Sequence, residues 1–200
     1  MRTSLFAAVS CAALLTVAAA PAVAQAATTP APAGVSAVSE TISDEELRSF
    51  ATAMEAVQPI AAAVTGGAPT AEQQAQMAAA IEASGLALER FNAISTAVST
   101  DAVVRARLNL ATTEASPAGS AAAAVTDAEV EQFVVAMAAV QPIAAALNGA
   151  APTAEQQEQM ATAIDASGLA RQRFNAISAA VSQDAYLRAR LALADARRAG

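Results

Sequence analysis

The sequence predicts an all-α protein: tandem duplicated small helical bundles, three to four helices each, after a signal peptide. Three observations predict this. Alanine supplies about 31% of the 200 residues, and alanine is the best intrinsic helix former. Large apolar residues recur at spacings of three and four, the period of one helical face. Residues 42–111 also align without a gap on 125–194, with about 48 of 70 positions identical. Self-similarity of this kind is settled before any other structural reading. Two copies are too few for a solenoid, so the chain reads as a tandem pair: helical repeat 1 over 42–111 and helical repeat 2 over 125–194.

Residues 1–24 read as a secretory signal peptide. Arg2 gives a positive start, and Leu5 to Ala20 is a run of mostly small apolar residues. Pro21 breaks that run, and Ala22-Val23-Ala24 fits the small-x-small cleavage pattern. Cleavage is placed after Ala24, with a cut after Ala26 as the alternative. The run of about 16 residues falls short of the roughly 20 that cross a bilayer, which disfavours a retained anchor. The expected address is periplasmic or secreted. Cys11 is the single cysteine and lies in the leader, so the processed chain carries no thiol in a compartment that would permit disulfides. Residues 25–41 and 112–124 are rich in Ala, Thr, Pro, Ser and Gly and lack apolar periodicity; both read as flexible linkers. Residues 195–200 read as a C-terminal tail.

Within a repeat, the first helix opens on Ser43-Asp44-Glu45-Glu46, matched by Thr126-Asp127-Ala128-Glu129. Each places a hydroxyl three residues before a glutamate, a capping box. Leu47, Phe50, Met54 and Val57 follow at helical spacing, as do Val130, Phe133, Met137 and Val140, and these faces are expected in the core. Pro59 and Pro142 should kink or restart the helix, because proline lacks the amide proton and crowds the preceding turn. Gln58 and Gln141 stand where a side chain would satisfy backbone groups freed by such a kink. Ile60 and Val64, with Ile143 and Leu147, continue the pattern until Gly66-Gly67 and Gly149 end it.

The second helix begins at Thr70 and Thr153, each just after a proline, with Met77 and Ile81 facing inward. Gly85 and Gly168 are expected in the left-handed conformation that stops it, with Leu86 and Leu169 folding back on Ile81 and Ile164. The third helix buries Phe91, Ile94 and Val98. Position 88 is leucine and its counterpart is Arg171, so that position should face solvent. Ser99 or Thr100 is the expected cap of a short fourth helix carrying Val104 and Leu108, or Leu187 and Leu191. Asp101 and Arg105 stand in the favourable order for a surface pair four residues apart.

The ordered set of an opening Ser-Asp-Glu-Glu-Leu helix, an Ala-rich helix, Gly-Leu-x-x-x-Arg-Phe-Asn-x-Ile and Asp-x-x-x-Arg resembles the bacterial domain of unknown function 4168 family. Both repeats carry the main elements, covering about 140 of the 200 residues. The resemblance implies a small, exported, all-helical domain. It brings no catalytic residues with it.

Charge and residue inventory narrow the function classes. Without Arg2 the processed chain carries 10 arginines against 18 acids, about −8. Nucleic-acid binding through phosphates needs a basic face, so it is not expected. Arg188, Arg190, Arg197 and Arg198 are best explained as cations near the negative end of a final helix, with anionic lipid contact as the lesser reading. Histidine and lysine are absent, so no serine has an obvious activating base and no zinc site can form from Cys or His. No phosphate-binding glycine loop is present. The sequence therefore predicts no enzyme, no cofactor, and no catalytic, cofactor-binding or metal residues; residues for binding a partner are unassigned. Arg90 and Asn92, with Arg173 and Asn175, read as a solvated face rather than a partner patch. Two function classes remain. One is an interaction module whose helix faces engage an envelope protein or peptide. The alternative is a structural envelope protein that associates with itself. No membrane span is expected after leader removal.

Overall fold

The computed structural model describes residues 41–64 and 67–200. Among them lie eight α-helices and no strand. The signal peptide, residues 1–24, and the segment 25–40 lie outside the described residues. The helices are α1 (Asp44–Ala62), α2 (Ala71–Ala83), α3 (Leu88–Thr100), α4 (Ala102–Thr112), α5 (Asp127–Ala146), α6 (Ala154–Ala166), α7 (Arg171–Gln183) and α8 (Ala185–Ala199). α1 packs against α2 and α4, and α5 against α6 and α8.

Helix starts follow their cap chemistry. The Ser43 hydroxyl accepts from the Glu46 amide at 3.1 Å, and the Ser43 amide donates to Glu46 Oε2 at 2.8 Å. Thr126 with Glu129, Thr70 with Gln73, and Thr153 with Gln156 form the same reciprocal box. Each satisfies amides that the first turn leaves without helical partners.

The fourth helix of each half is capped differently from expectation. The hydroxyls of Ser99 and Thr100 turn back to the carbonyls of Ser95 and Thr96 within α3. Asp101 is the N-cap instead, its Oδ1 accepting from the amides of Val103 and Val104. A carboxylate with an extended backbone competes well for this position. Nor does Arg105 follow the expected surface pairing: it donates to the carbonyls of Val98 and Ser99, which α3 leaves exposed at its end. Arg188 does the same for Val181 and Ser182.

Two cores form. The first gathers Ile42, Leu47, Phe50, Ala53, Ile81, Leu86, Phe91, Ile94, Ala97 and Val104. The second gathers Ala122, Val125, Val130, Phe133, Leu169, Ile177 and Leu187. In each, a phenylalanine of the first helix meets one of the third: Phe50 and Phe91 at 4.9 Å between centroids, Phe133 and Phe174 at 4.8 Å. Offset aromatic pairs at this range add to the burial of their area.

The expected core stripe is wrong at one position. Met54 and Met137 are each 42% exposed, whereas Ala53 and Ala136 are fully buried. Both alanines sit within the 3-and-4 spacing from Phe50 and Phe133. A methyl group there leaves room for neighbouring helices that a methionine would push apart, and the methionines rotate outward.

α1 runs through Pro59 and α5 through Pro142 without a restart. Both prolines are exposed, as are Gln58 and Gln141, so the ring projects away from the packed face. The two glycines that stop α2 and α6 take the expected left-handed conformation. Gly85 and Gly168 have φ of 85° and 81°, and Leu86 and Leu169 are buried. The carbonyls of Ile81 and Ile164 accept from the amide and hydroxyl of Ser84 and Ser167. Leu88 and Arg171 are exposed.

Two boundaries shift. Residues 195–199 continue α8 rather than forming a tail. The segment 112–124, expected to be a flexible linker, is folded over much of its length. Thr112 closes α4, the Ser120 amide donates to the Pro117 carbonyl at 3.0 Å, and the Ala124 amide to the Ser120 carbonyl at 3.2 Å. Ala122 is buried in the second core.

Alanine at Gly85 or Gly168 is expected to cost about 1–2 kcal/mol, because a Cβ penalises the left-handed conformation. At Gly85 the new atom meets nothing within 4 Å, so the cost there is conformational; at Gly168 it approaches Gln132 Nε2 to 3.1 Å, and that side chain must swing aside. Urea denaturation of the two variants measures the cost, and unchanged midpoints would contradict this account of the stop.

Candidate functional site

The densest polar constellation lies at the start of α1 and recurs at the start of α5. Glu46 is the third residue of α1, so its capping box fixes the carboxylate beside Ser43. Arg90, third in α3, reaches it across 44 residues of chain: Nε to Oε1 at 2.6 Å and Nη2 to Oε2 at 3.0 Å. The same Nη2 donates to the Thr41 carbonyl at 3.2 Å. From α4, Arg107 Nη2 donates to Asp44 Oδ1 at 2.6 Å and to the Ile42 carbonyl at 2.8 Å.

The second half repeats this set. Arg173 holds Glu129 at 2.6 Å and the Ala124 carbonyl at 3.0 Å. Arg190 holds Asp127 at 2.6 Å and the Val125 carbonyl at 2.8 Å. The planar fork of arginine suits this task, since one side chain can satisfy a carboxylate and a carbonyl together.

The sequence reading of Arg90 and Arg173 as a solvated face is thus corrected: each is half-buried and ion-paired over a long range. Asn92 and Asn175 are exposed on the same helices. Of the C-terminal arginines, Arg190 belongs to the clamp, Arg198 pairs with Asp195, and Arg188 closes α7. A signal for the clamps was present in the sequence. The separations Glu46–Arg90 and Asp44–Arg107 are kept between identical residues in both halves.

The clamp chemistry is that of a fastener. The Arg90 guanidinium and the Ser43 amide hold the Glu46 carboxyl down at about 2, against an ordinary 4.5. Arg173 and Thr126 do the same to Glu129. The partner guanidinia are raised further above their ordinary range by the same bonds. A general acid or base works best with a pKa near the operating pH, and these groups move away from it. Among the described residues no three His, Cys, Asp or Glu side chains come together as a metal would require.

Two surface features remain. α4 packs on α8 and joins the halves. The pairing is antiparallel: the Ser116 hydroxyl, just past α4, donates to Asp184 Oδ1 at the start of α8 at 2.9 Å. At the other end, Thr100 to Val103 share an open depression of about 390 Å³ with Ala196, Ala199 and Gly200. Ala189 and Leu193 of α8 are buried; two residues on from Leu187 and Leu191, which pack in the second core, they lie on the other side of the helix, the side left to α4. The other feature is apolar exposure on the outer helix pairs: Met54, Met137 and Val135, the last 49% exposed. α6 contributes no fully buried residue, and α2 only Ile81, so these pairs are thinly packed.

No family model, curated protein or solved structure matches this chain. No helix among the described residues is long and apolar enough to cross a membrane.

The low carboxyl pKa values set a pH window. A depressed carboxyl contributes stability that is fully present above its unfolded value, near 4.5, and is lost as pH falls towards about 2. The thermal midpoint of the full chain should therefore fall between these limits as acid is added. Glu46→Gln with Glu129→Gln should start lower at neutral pH and lose less over the same interval. Identical acid slopes for both proteins would contradict the clamp.

Proposed function

We propose that this chain is an exported, non-enzymatic interaction module that takes an envelope protein or peptide on the outer faces of the α1–α2 and α5–α6 helix pairs. The observation that carries this reading is Val135 and Met137 exposed within 132–154, a stretch without a single charged residue. Around this stretch the chain is acidic. Val135 and Met137 flank the buried Ala136 on the two sides of α5, so either can meet a partner, and methionine adapts to varied partner shapes. Met54, at the matching position of α1, offers a second such surface.

Three further points support the reading. The leader-like N-terminus indicates a periplasmic or secreted address. The motif order resembles the 4168 family, with its expectation of a small exported helical domain. The perturbed carboxylates are committed to fixed ion pairs, which leaves little for proton transfer.

Crosslinking in cells, from an exported chain carrying a photoreactive residue at position 139, tests the proposal. Val135→Asp with Met137→Asp is expected to lower partner recovery about tenfold or more, since losing the contact of two buried apolar side chains exceeds the 1.4 kcal/mol of one decade. Helicity should stay unchanged. Recovery that is insensitive to these variants sinks the reading, and crosslinks only between copies of the chain favour the self-associating alternative.

A further inference from the structure

The seam between α4 and α8 has the character of a two-fold interface. Ala106 and Leu110 on α4 occupy the same places as Ala189 and Leu193 on α8, 83 residues on. At one end Ser116 meets Asp184. At the other, Asp101 and Ala199 border one depression, and these are the positions 83 residues after Ser116 and before Asp184. Equivalent positions are therefore brought together at both ends. An antiparallel seam built this way is self-complementary: either face fits any chain that offers the opposite helix.

The connection between the halves is correspondingly slight. Residues 113–115 alone separate the end of α4 from Ser116, which is already bound to Asp184 of the second half. Burial resumes only at Ala122. If Ser116 lets go, the nine residues from Thr113 to Ala121 can span about 30 Å, about two and a half helix widths.

We propose that two copies of this chain exchange halves, α4 of one copy packing on α8 of the other and the reverse. The exchanged dimer uses the seam the single chain already makes and needs no new surface. The closed chain has the advantage of a short tether, which raises the local concentration of its own second half. Exchange therefore grows with protein concentration and with anything that prevents closure. It does not depend on the outer helix pairs to which the partner site is assigned.

Deleting Glu114 and Ala115 is the direct test. In the full chain carrying Cys11→Ser, sedimentation should shift from mainly monomer to mainly dimer with helicity retained. A folded deletion variant that stays monomeric overturns the proposal. Should the deletion fail to fold, Val103→Cys with Ala196→Cys in the otherwise intact chain, again with Cys11→Ser, gives the second measurement. After refolding at about 1 mM and oxidation, the dimer fraction should run as a covalent dimer on a denaturing gel, because the bond joins two chains. Monomer alone at that concentration, or a dimer whose bonds lie within single chains, overturns it. The latter result would point to association through the outer faces instead.

Discussion

The constraint on which this fold depends is the closeness of its helices. A chain with this much alanine has few large side chains to fill a wide interior. Helices must therefore approach until methyl groups meet the neighbouring backbone. Ala53, Ala97, Ala136 and Ala189 are all buried to within 2% of completely. Close approach recovers dispersion contact that small side chains cannot supply at longer range. It also leaves little tolerance, since a larger group at such a position must be turned outward or must push two helices apart. The outward methionines follow from this directly.

Closeness alone does not fix how the helices are arranged, because alanine faces are nearly featureless. The arginine clamps supply that information. Arg90 and Arg107 come from different helices and converge on one turn of α1, so they set its position against both. Glu46 serves twice, closing the capping box and receiving the guanidinium. A local helix-start signal is thereby coupled to tertiary structure. The carbonyls of Thr41 and Ile42 are drawn into the same bonds, which fixes the path of the chain into the helix.

Much of this was legible in the sequence, and the reason is that the helix ends are written in local chemistry. Ser43 with Glu46, Thr70 with Gln73, and Gly85 with Leu86 act over three or four residues, so pattern alone locates them. The misreadings share the opposite property. Spacing cannot tell Met54 from Ala53, one residue away; only the neighbouring helix decides which is buried. Asp101 displaced Ser99 and Thr100 as a cap because those hydroxyls found carbonyls one turn back. Arg90 reads as a surface residue because its partner lies 44 positions away. The segment 112–124 reads as unstructured by composition, yet Ala122 is buried in the second core. For the partner-binding face, the sequence offered apolar residues but no way to know which of them the fold would leave outside.

The seam carries a consequence for how such a molecule can change. When two identical chains meet across a dyad, every altered codon lands on both sides of the contact, and a harmful change is doubled. Here the two sides are written in separate stretches of one gene, so each drifts alone. Val103, which borders the seam where the other half has Tyr186, records that freedom: one half can be retuned while its twin keeps the architecture intact.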